Sequence, residues 1–193
     1  MNRVLQLLLV AVLAALFVPA VANSAPRMWV GFHDDPVLRW NAIALQADAD
    51  DHSGTWRSTD DGRPAPEQGG PTAGSRALAI VHLAVYDAVN AIDGTHDPYL
   101  RVALAPGLLA AASIDAAVAR AAHDTLVALY PSQRTVFDEA LAAALDDIPG
   151  GGRHTGEQVG ALTAENILAA RAHDGSAGPM PYTPGTEPGD HQP

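Results

Sequence analysis

The chain has 193 residues, 48% of them hydrophobic, and a formal net charge of −11. This charge disfavours binding to nucleic acid, anionic lipid and phosphate-like anions, and every basic residue is arginine, so no lysine is present as a catalytic base or phosphate ligand. There is also no cysteine, which excludes a disulfide framework and leaves packed apolar side chains as the source of stability.

Residues 1–22 have the layout of a signal peptide. Arg3 precedes an apolar run from Val4 to Val18 that is shorter than an ordinary membrane span of about 20 residues. Small residues at Ala20 and Ala22 predict cleavage before Asn23, and therefore an exported, periplasmic or extracellular chain without a membrane anchor. An uncleaved anchor or a buried core helix is the alternative.

The composition favours an all-α fold. Aromatic residues are few and Ala, Leu, Val and Ile dominate, which predicts a single domain over residues 23–175 with a bundle of about five helices. The first helix is expected from Pro36 to about Asp48, with Asp35 as its N-cap. Its buried face is predicted to contain four residues at helical spacing: Val37, Trp40, Ala44 and Ala47.

The second helix is expected to be the central one. It follows a polar segment over residues 49–70 that is typical of a long loop, and it runs from about Thr72 to Ile92. Its apolar side chains cover more than one face, as in a buried helix. Asp93-Gly94 should end it, because glycine tolerates the left-handed conformation that closes a helix.

The third helix is predicted to begin at Ser113 and to reach Tyr130. Arg120, His123 and Asp124 are predicted to point outward. The inward face is expected to contain the residues that recur at helical spacing: Val118, Ala121, Ala122, Thr125, Leu126 and Leu129.

Two more helices complete the predicted bundle. Pro131 ends the third helix and Ser132 is placed to cap the fourth, so these two helices should form a tight antiparallel hairpin that stops at Pro149-Gly150. The fifth is signalled by the capping-box pair Thr155 and Gln158, and should stop at Gly175. The core of the fourth helix is predicted to contain Phe137, Leu141, Ala144, Leu145 and Ile148.

The last segment, residues 176–193, is rich in proline and glycine. Such a segment cannot form a helix and shows no strand pattern, which predicts a linker or a truncated tail.

Histidine and acidic residues are neighbours at six places, which makes metal binding a hypothesis to weigh. On a helix, ligands must be three or four residues apart to converge, and no histidine pair has this spacing. The pairs are therefore interpreted as solvated surface residues, and no metal site is predicted. They are His33-Asp34-Asp35, Asp51-His52, His96-Asp97, His123-Asp124, His173-Asp174 and Asp190-His191.

The second helix also carries a polar stripe. His82, Tyr86 and Asn90 lie four residues apart on an otherwise apolar surface and could line a pocket. The competing interpretation is a ladder of polar groups bonded to neighbouring helices or loops, which is the usual state of enclosed polar side chains. Asp87 points elsewhere and could pair with Arg76 or another arginine.

Motifs of common hydrolases, phosphate-binding loops and zinc proteases are lacking from the sequence. Two strings instead are similar to the N-terminal region of bacterial vanadium-dependent haloperoxidase-like proteins. They are WNAIAL at 40–45 and SRALAIVHLAVYDAVNAI at 75–92. Shorter segments follow in the family's order: AAHD at 121–124, LYPSQ at 129–133, ILAAR at 167–171 and YTPG at 182–185.

This resemblance implies an all-helical fold of the type 2 phosphatidic acid phosphatase and haloperoxidase superfamily. In that family a C-terminal bundle holds vanadate or phosphate with a lysine, two arginines and two histidines, and bound vanadate activates peroxide to oxidise halide. The resemblance covers only the N-terminal half, so vanadate is expected only in the missing half. It implies no catalytic, cofactor-binding or metal-binding residue in this chain.

Arg76 and His82 reproduce the spacing of the family's third anion-binding motif, which is interpreted as a coincidence. No Pro-Ser-Gly-His motif precedes them, and Pro131-Ser132-Gln133 is the nearest approximation, on the wrong side. On a continuous helix, positions 76 and 82 are about 240° apart, so the two side chains are not expected to face one anion.

The sequence therefore predicts the N-terminal scaffold of an exported haloperoxidase-like or phosphatase-like protein that is not catalytic alone. Its expected partner is the missing C-terminal bundle or a second copy of the chain. A stand-alone exported helical binding protein is the first alternative, and a weak metal-binding protein is the second.

Overall fold

The computed structural model describes residues 35–53, 65–104, 106–146, 148–178, 183 and 185–190. The predicted signal peptide at 1–22 lies outside these ranges. Within them, five long helices and one single-turn helix pack together and no strand occurs, so the predicted all-α bundle is confirmed. The helices are α1 (Pro36–His52), α2 (Pro71–Asp93), the single-turn α3 (Pro106–Leu109), α4 (Ile114–Leu129), α5 (Arg134–Asp146) and α6 (Gly150–Arg171).

Helix α1 begins as predicted. The Asp35 carboxylate accepts hydrogen bonds from the backbone amides of Val37, at 2.8 Å, and Leu38, at 3.1 Å. The helix continues one turn beyond Asp48, to His52. Val37 is 36% exposed, so its predicted place on the buried face is wrong. The buried stripe begins one turn later and contains Trp40, Ile43, Ala44, Ala47 and Asp51.

The central helix of the bundle is α4, not α2 as predicted. It packs against α1, α2, α5 and α6, and eleven of its sixteen residues are buried. Alanine is the commonest of these buried residues, and its small side chain lets neighbours approach α4 from every side. The apolar residues around α2 led to the wrong prediction, because several large side chains of this helix are half exposed and not buried. Ser113 caps α4 and Gly94, at φ 68°, closes α2, both as predicted.

Helix α6 lies against α4 along a seam of glycines spaced four residues apart. A methyl group at Gly156 would collide with the carbonyl oxygen of Ser113, and one at Gly160 with that of Ala117. The two backbones are therefore in direct contact, which only glycine permits.

The start of α6 differs from the capping-box prediction. The helix begins at Gly150, is interrupted at Gly151 and Gly152, and is regular before Thr155, so Thr155 lies inside it. Gly152 has φ 128°, and its carbonyl accepts a 2.9 Å hydrogen bond from the amide of Ser113. This bond ties the start of α6 to the residue before α4, and no side chain caps α6. The helix ends at Arg171, four residues before the predicted stop.

Helices α4 and α5 contact each other as the hairpin prediction requires, but Ser132 does not cap α5. A short 3-10 turn, Pro131–Gln133, precedes that helix. The Ser132 amide and hydroxyl both donate to the Glu67 carboxylate, each at 3.0 Å, so Ser132 holds the loop before α2 instead. Only Phe137 and Ala144 of α5 are buried, fewer than the five core residues predicted.

Two buried carboxylates fasten loops to the bundle. Asp51 accepts hydrogen bonds from the amides of Glu67 and Gln68 at 2.9 and 2.8 Å. Asp87 accepts from Tyr99 and Leu100 at 2.6 and 2.8 Å. The surface prediction for Asp51 and the arginine pairing expected for Asp87 are both wrong, because each carboxylate satisfies two loop amides at once. No helix among the described residues combines the length and the apolar character needed to cross a bilayer.

Candidate functional site

Arg76 and His82, the pair with family-like spacing, contact different helices. The Arg76 guanidinium donates to the Asp174 carboxylate at 2.9 Å and to the Arg171 carbonyl at 2.8 Å, just beyond and at the end of α6. Nε2 of His82 lies 3.1 Å from the side-chain oxygen of Asn41 on α1. The two side chains are thus engaged with separate partners.

Each member of the polar stripe on α2 is hydrogen bonded. His82 contacts Asn41, the Tyr86 hydroxyl donates to the Asp97 carbonyl at 3.0 Å, and the Asn90 amide donates to the Tyr86 carbonyl at 3.0 Å. His82 and Tyr86 are bonded to neighbouring elements, as the ladder interpretation requires, whereas Asn90 is bonded within its own helix. Only Asn90 is buried, however, while His82 and Tyr86 remain on the surface.

An exposed apolar surface lies where α1 and α2 meet, and we name it the α1–α2 face: Leu38, Asn41 and Leu45 of α1 with His82 and Tyr86 of α2. The three α1 residues share one side of the helix because they are three and four positions apart. The hydrogen bond between Asn41 and His82 places the two helical stripes side by side.

The large side chains of the α1–α2 face are accessible to a partner. Leu38 is 47%, Leu45 51% and Tyr86 42% exposed. Grouped apolar side chains on a protein surface often mark a site of interaction with another protein. Four of its five residues lie within residues 40–45 and 75–92.

A second polar centre surrounds His123, which the sequence had placed on the outward side of its helix. His123 is only 8% exposed. Its Nδ1 lies 2.7 Å from the Asp124 carboxylate and its Nε2 lies 2.7 Å from that of Asp138. Arg120 donates to the other oxygen of Asp124 at 2.7 Å. The surface prediction fails for His123 because α5 covers this side of α4 and contributes Asp138.

The four groups form an alternating chain of charges. Burial lowers the pKa of His123, but the hydrogen bonds and charges of Asp124 and Asp138 outweigh burial and hold that pKa above its ordinary value. Burial raises the pKa of Asp124, and the bonds from His123 and Arg120 outweigh it and hold that pKa below its ordinary value. Both ring nitrogens of His123 are occupied, so the imidazole offers no free nitrogen to a substrate.

A groove of about 610 Å³ lies beside this centre. Its walls contain two carboxylates, of Asp124 and Glu165, and five small or aliphatic residues: Ala161, Ala164, Leu168, Ala169 and Ala172. The Asp124 carboxylate is already bonded to His123 and Arg120. The groove is therefore suited to an apolar group and not to an oxyanion.

No comparison with known proteins gave a match: no family model, no curated protein and no solved structure matches the chain.

Two of the remaining acid and histidine pairs contribute a contact described above, Asp97 to Tyr86 and Asp174 to Arg76. Nδ1 of His52 lies 2.8 Å from the carbonyl of Asp48, one turn earlier in α1, and Nδ1 of His96 lies 2.8 Å from the hydroxyl of Thr95. Among the described residues, no three histidine, aspartate or glutamate side chains are grouped in a way that could hold a metal ion. His33, Asp34 and His191 lie outside those residues.

Proposed function

We propose that this chain is the N-terminal helical scaffold of an exported vanadium-dependent haloperoxidase-like or acid phosphatase-like protein, and that it is not catalytic alone. The proposed partner is the C-terminal helical bundle that carries the oxyanion site in that family, with a second copy of the chain as the partner when the bundle is missing. The α1–α2 face carries the proposal, because it exposes apolar side chains within the strings that resemble the family.

The composition of this face fits a docking surface between helical units. Two leucines and a tyrosine supply apolar area, and tyrosine is enriched at protein interfaces, where a polar rim surrounds the buried centre. The Asn41 and His82 pair lies between the two leucine positions and provides hydrogen-bonding groups at the centre. A helix of the partner laid along α1 would cover Leu38 and Leu45 together.

The chain's own residues do not fit vanadate or phosphate. An oxyanion with several charged oxygens needs converging cations. Arg76 is bonded to Asp174 and to the end of α6, His82 is bonded to Asn41, and lysine is lacking from the sequence. No step of halide oxidation or phosphoester hydrolysis is therefore assigned to this chain.

The test compares the chain with a version extended through the reading frame downstream of Pro193. Bromination of a phenolic dye with vanadate and peroxide, and hydrolysis of a phosphoester, should stay at background for the chain alone. Activity should appear in the extended version when it includes a Lys and Arg motif, a Pro-Ser-Gly-His motif and a second Arg and His motif. Activity of the short chain that disappears in Arg76→Ala or His82→Ala would overturn the proposal.

The docking surface is tested in the same extended version. Leu38→Asp together with Leu45→Asp should weaken the association of the two halves after proteolytic nicking between them, because two charges would have to be buried. Val136→Asp is the matched control, since Val136 is 43% exposed on α5 and lies outside the face. Equal loss of association in the control would contradict the assignment of the face.

A stand-alone exported helical binding protein is the second candidate. It is favoured by the arrangement around α4, which is covered by the other long helices and gives the described residues a core of their own. Under this alternative the isolated chain should be monomeric at high concentration, unfold cooperatively and bind no hydrophobic dye. Self-association through the α1–α2 face would favour the scaffold instead.

A further inference from the structure

We propose that protonated His123 is a pH-sensitive clamp that fastens α5 to α4, and that α5 loosens when the imidazolium loses its proton. This inference is independent of the proposed function, since it concerns how the bundle holds one of its own helices. The geometry behind it is a single ring with a carboxylate on each side, one from its own helix and one from α5.

The chemistry of the ring requires the proton. A neutral imidazole carries only one N–H, and ionised carboxylates can only accept hydrogen bonds. Both ring nitrogens of His123 lie 2.7 Å from a carboxylate oxygen. Both contacts are hydrogen bonds only in the doubly protonated ring, so loss of the proton turns one of them into a repulsion between a lone pair and an anion.

Helix α5 is the element most affected, because few of its side chains are buried. Two of its side chains, Phe137 and Ala144, are buried, and none of its other side chains is. Its C-terminal end receives a 3.2 Å hydrogen bond from Arg153 to the carbonyl of Leu145. The Asp138 contact lies between these anchors, one residue from Phe137, where it can fix the first turns of the helix on α4.

Among the described residues, charged groups from three helices lie at or near His123. Asp124 and Arg120 lie on α4 and Asp138 on α5, while Glu165 of α6 lines the groove beside Asp124. The buried carboxylates of α1 and α2, Asp51 and Asp87, are bonded to loop amides. The carboxylates that act on His123 are those of Asp124 and Asp138.

The direction of the pH response follows from these contacts. The folded protein holds the pKa of His123 above its ordinary 6.5, so the clamp contributes fully below that pH. Its contribution is lost as the pH rises through the folded pKa. Helix α5 is therefore expected to be held tightly in mildly acidic solution and more loosely once the pH has risen through the folded pKa of His123.

Amide hydrogen exchange of the full chain tests the clamp. Between about pH 6 and about pH 9, protection of the α5 amides, corrected for intrinsic rates, should fall about five- to ten-fold relative to α4 and α6, as expected for losing one half-exposed charged hydrogen bond. In Asp138→Asn this pH response should vanish. The asparagine amide can accept from the imidazolium or donate to the neutral ring, so the contact survives at both pH values.

A titration of the His123 ring nitrogens by NMR provides the second readout. The wild-type midpoint should lie above the ordinary value, and Asp138→Asn should lower it because one carboxylate is gone. His154→Gln, which removes an exposed histidine of α6, should change neither the midpoint nor the exchange. A pH response of α5 that survives in Asp138→Asn, or a wild-type His123 midpoint at or below its ordinary value, would overturn the proposal.

Discussion

Helix α4 holds its two C-terminal neighbours by different means. Against α6 it has a seam in which backbone meets backbone at Gly156 and Gly160. Against α5 it has Phe137 and the alternating charges around His123. The first contact depends on shape and should be insensitive to pH and salt, whereas the second depends on ionisation. The contact between α4 and α6 is thus independent of protonation, whereas the contact between α4 and α5 depends on it.

The largest expected effect comes from disturbing the shape-dependent contact. In Gly160→Ala the new methyl group would collide with the Ala117 carbonyl oxygen and lie 2.8 Å from both the Ala121 amide nitrogen and Arg120 Cβ. The gain in helix propensity, about 1 kcal/mol, is smaller than this overlap, so a net loss of about 2 to 3 kcal/mol is expected in urea unfolding.

Gly150→Ala is the matched control for the seam, because a methyl group at Gly150 meets no atom within 4 Å. Its stability should stay within about 0.5 kcal/mol of wild type. If Gly160→Ala were as stable as this control, the two helices would not be in close contact and the contrast with α5 would disappear.

The next largest effect is expected from removing a buried carboxylate that accepts hydrogen bonds from backbone amides. Asp87→Ala leaves the amides of Tyr99 and Leu100 without their acceptor, which should cost about 2 kcal/mol. The exposed Asp97→Ala is the control, since only its backbone carbonyl is bonded. Calorimetric unfolding of both variants measures how much stability each one loses. Comparison with Gly160→Ala then shows whether a fully buried charged contact stabilises the bundle as much as the glycine seam does.

The clamp should have a smaller effect that depends on pH. His123→Gln should destabilise the chain by about 1 kcal/mol in mildly acidic solution, where the wild-type imidazolium binds both carboxylates. The difference from wild type should shrink as the pH rises through the raised pKa of His123. Urea midpoints measured across this range would contradict the clamp if the difference stayed constant.

The smallest effect on stability is expected at the α1–α2 face. Leu38→Asp with Leu45→Asp should change the free energy of unfolding by about 0.5 kcal/mol or less, because both side chains are already exposed. The same change should abolish self-association of the isolated chain in sedimentation velocity, while Val136→Asp should leave it intact. A wild-type chain that stays monomeric at high concentration would favour the stand-alone alternative.

The sequence predicted the helices and several of their ends because those depend on neighbouring residues. Asp35, Ser113 and Gly94 act within a single turn of the chain, and the structure confirms all three. The capping box at Thr155 failed because the helix is already regular from Arg153, and the Gly152 carbonyl just before that point accepts a hydrogen bond from the amide of Ser113. That partner is remote in sequence, so local pattern could not reveal it.

The candidate sites were less predictable for the same reason. Asp138 is fifteen residues from His123 and on another helix, and no spacing rule joins them. The central position of α4 was not predicted because its many alanines give only a weak hydrophobic pattern. The small alanine side chain nevertheless lets other helices approach α4 closely. One signal was visible: glycines at 152, 156 and 160 share a helical face, and this repeat is typical of backbones in contact.

The glycine seam also decides how the two helices are aligned along their length. Gly152 meets Ser113, Gly156 meets Ser113 and Ala116, and Gly160 meets Ala117 and Ala121, so α4 and α6 run in the same direction at a nearly constant offset. Sliding α6 by one residue would turn Arg153 and Glu157 toward alanine and backbone, where their charges would lack solvent. The glycine repeat thus favours one register of α6 on α4 and disfavours the register shifted by one residue. Stable packing alone would not provide this discrimination.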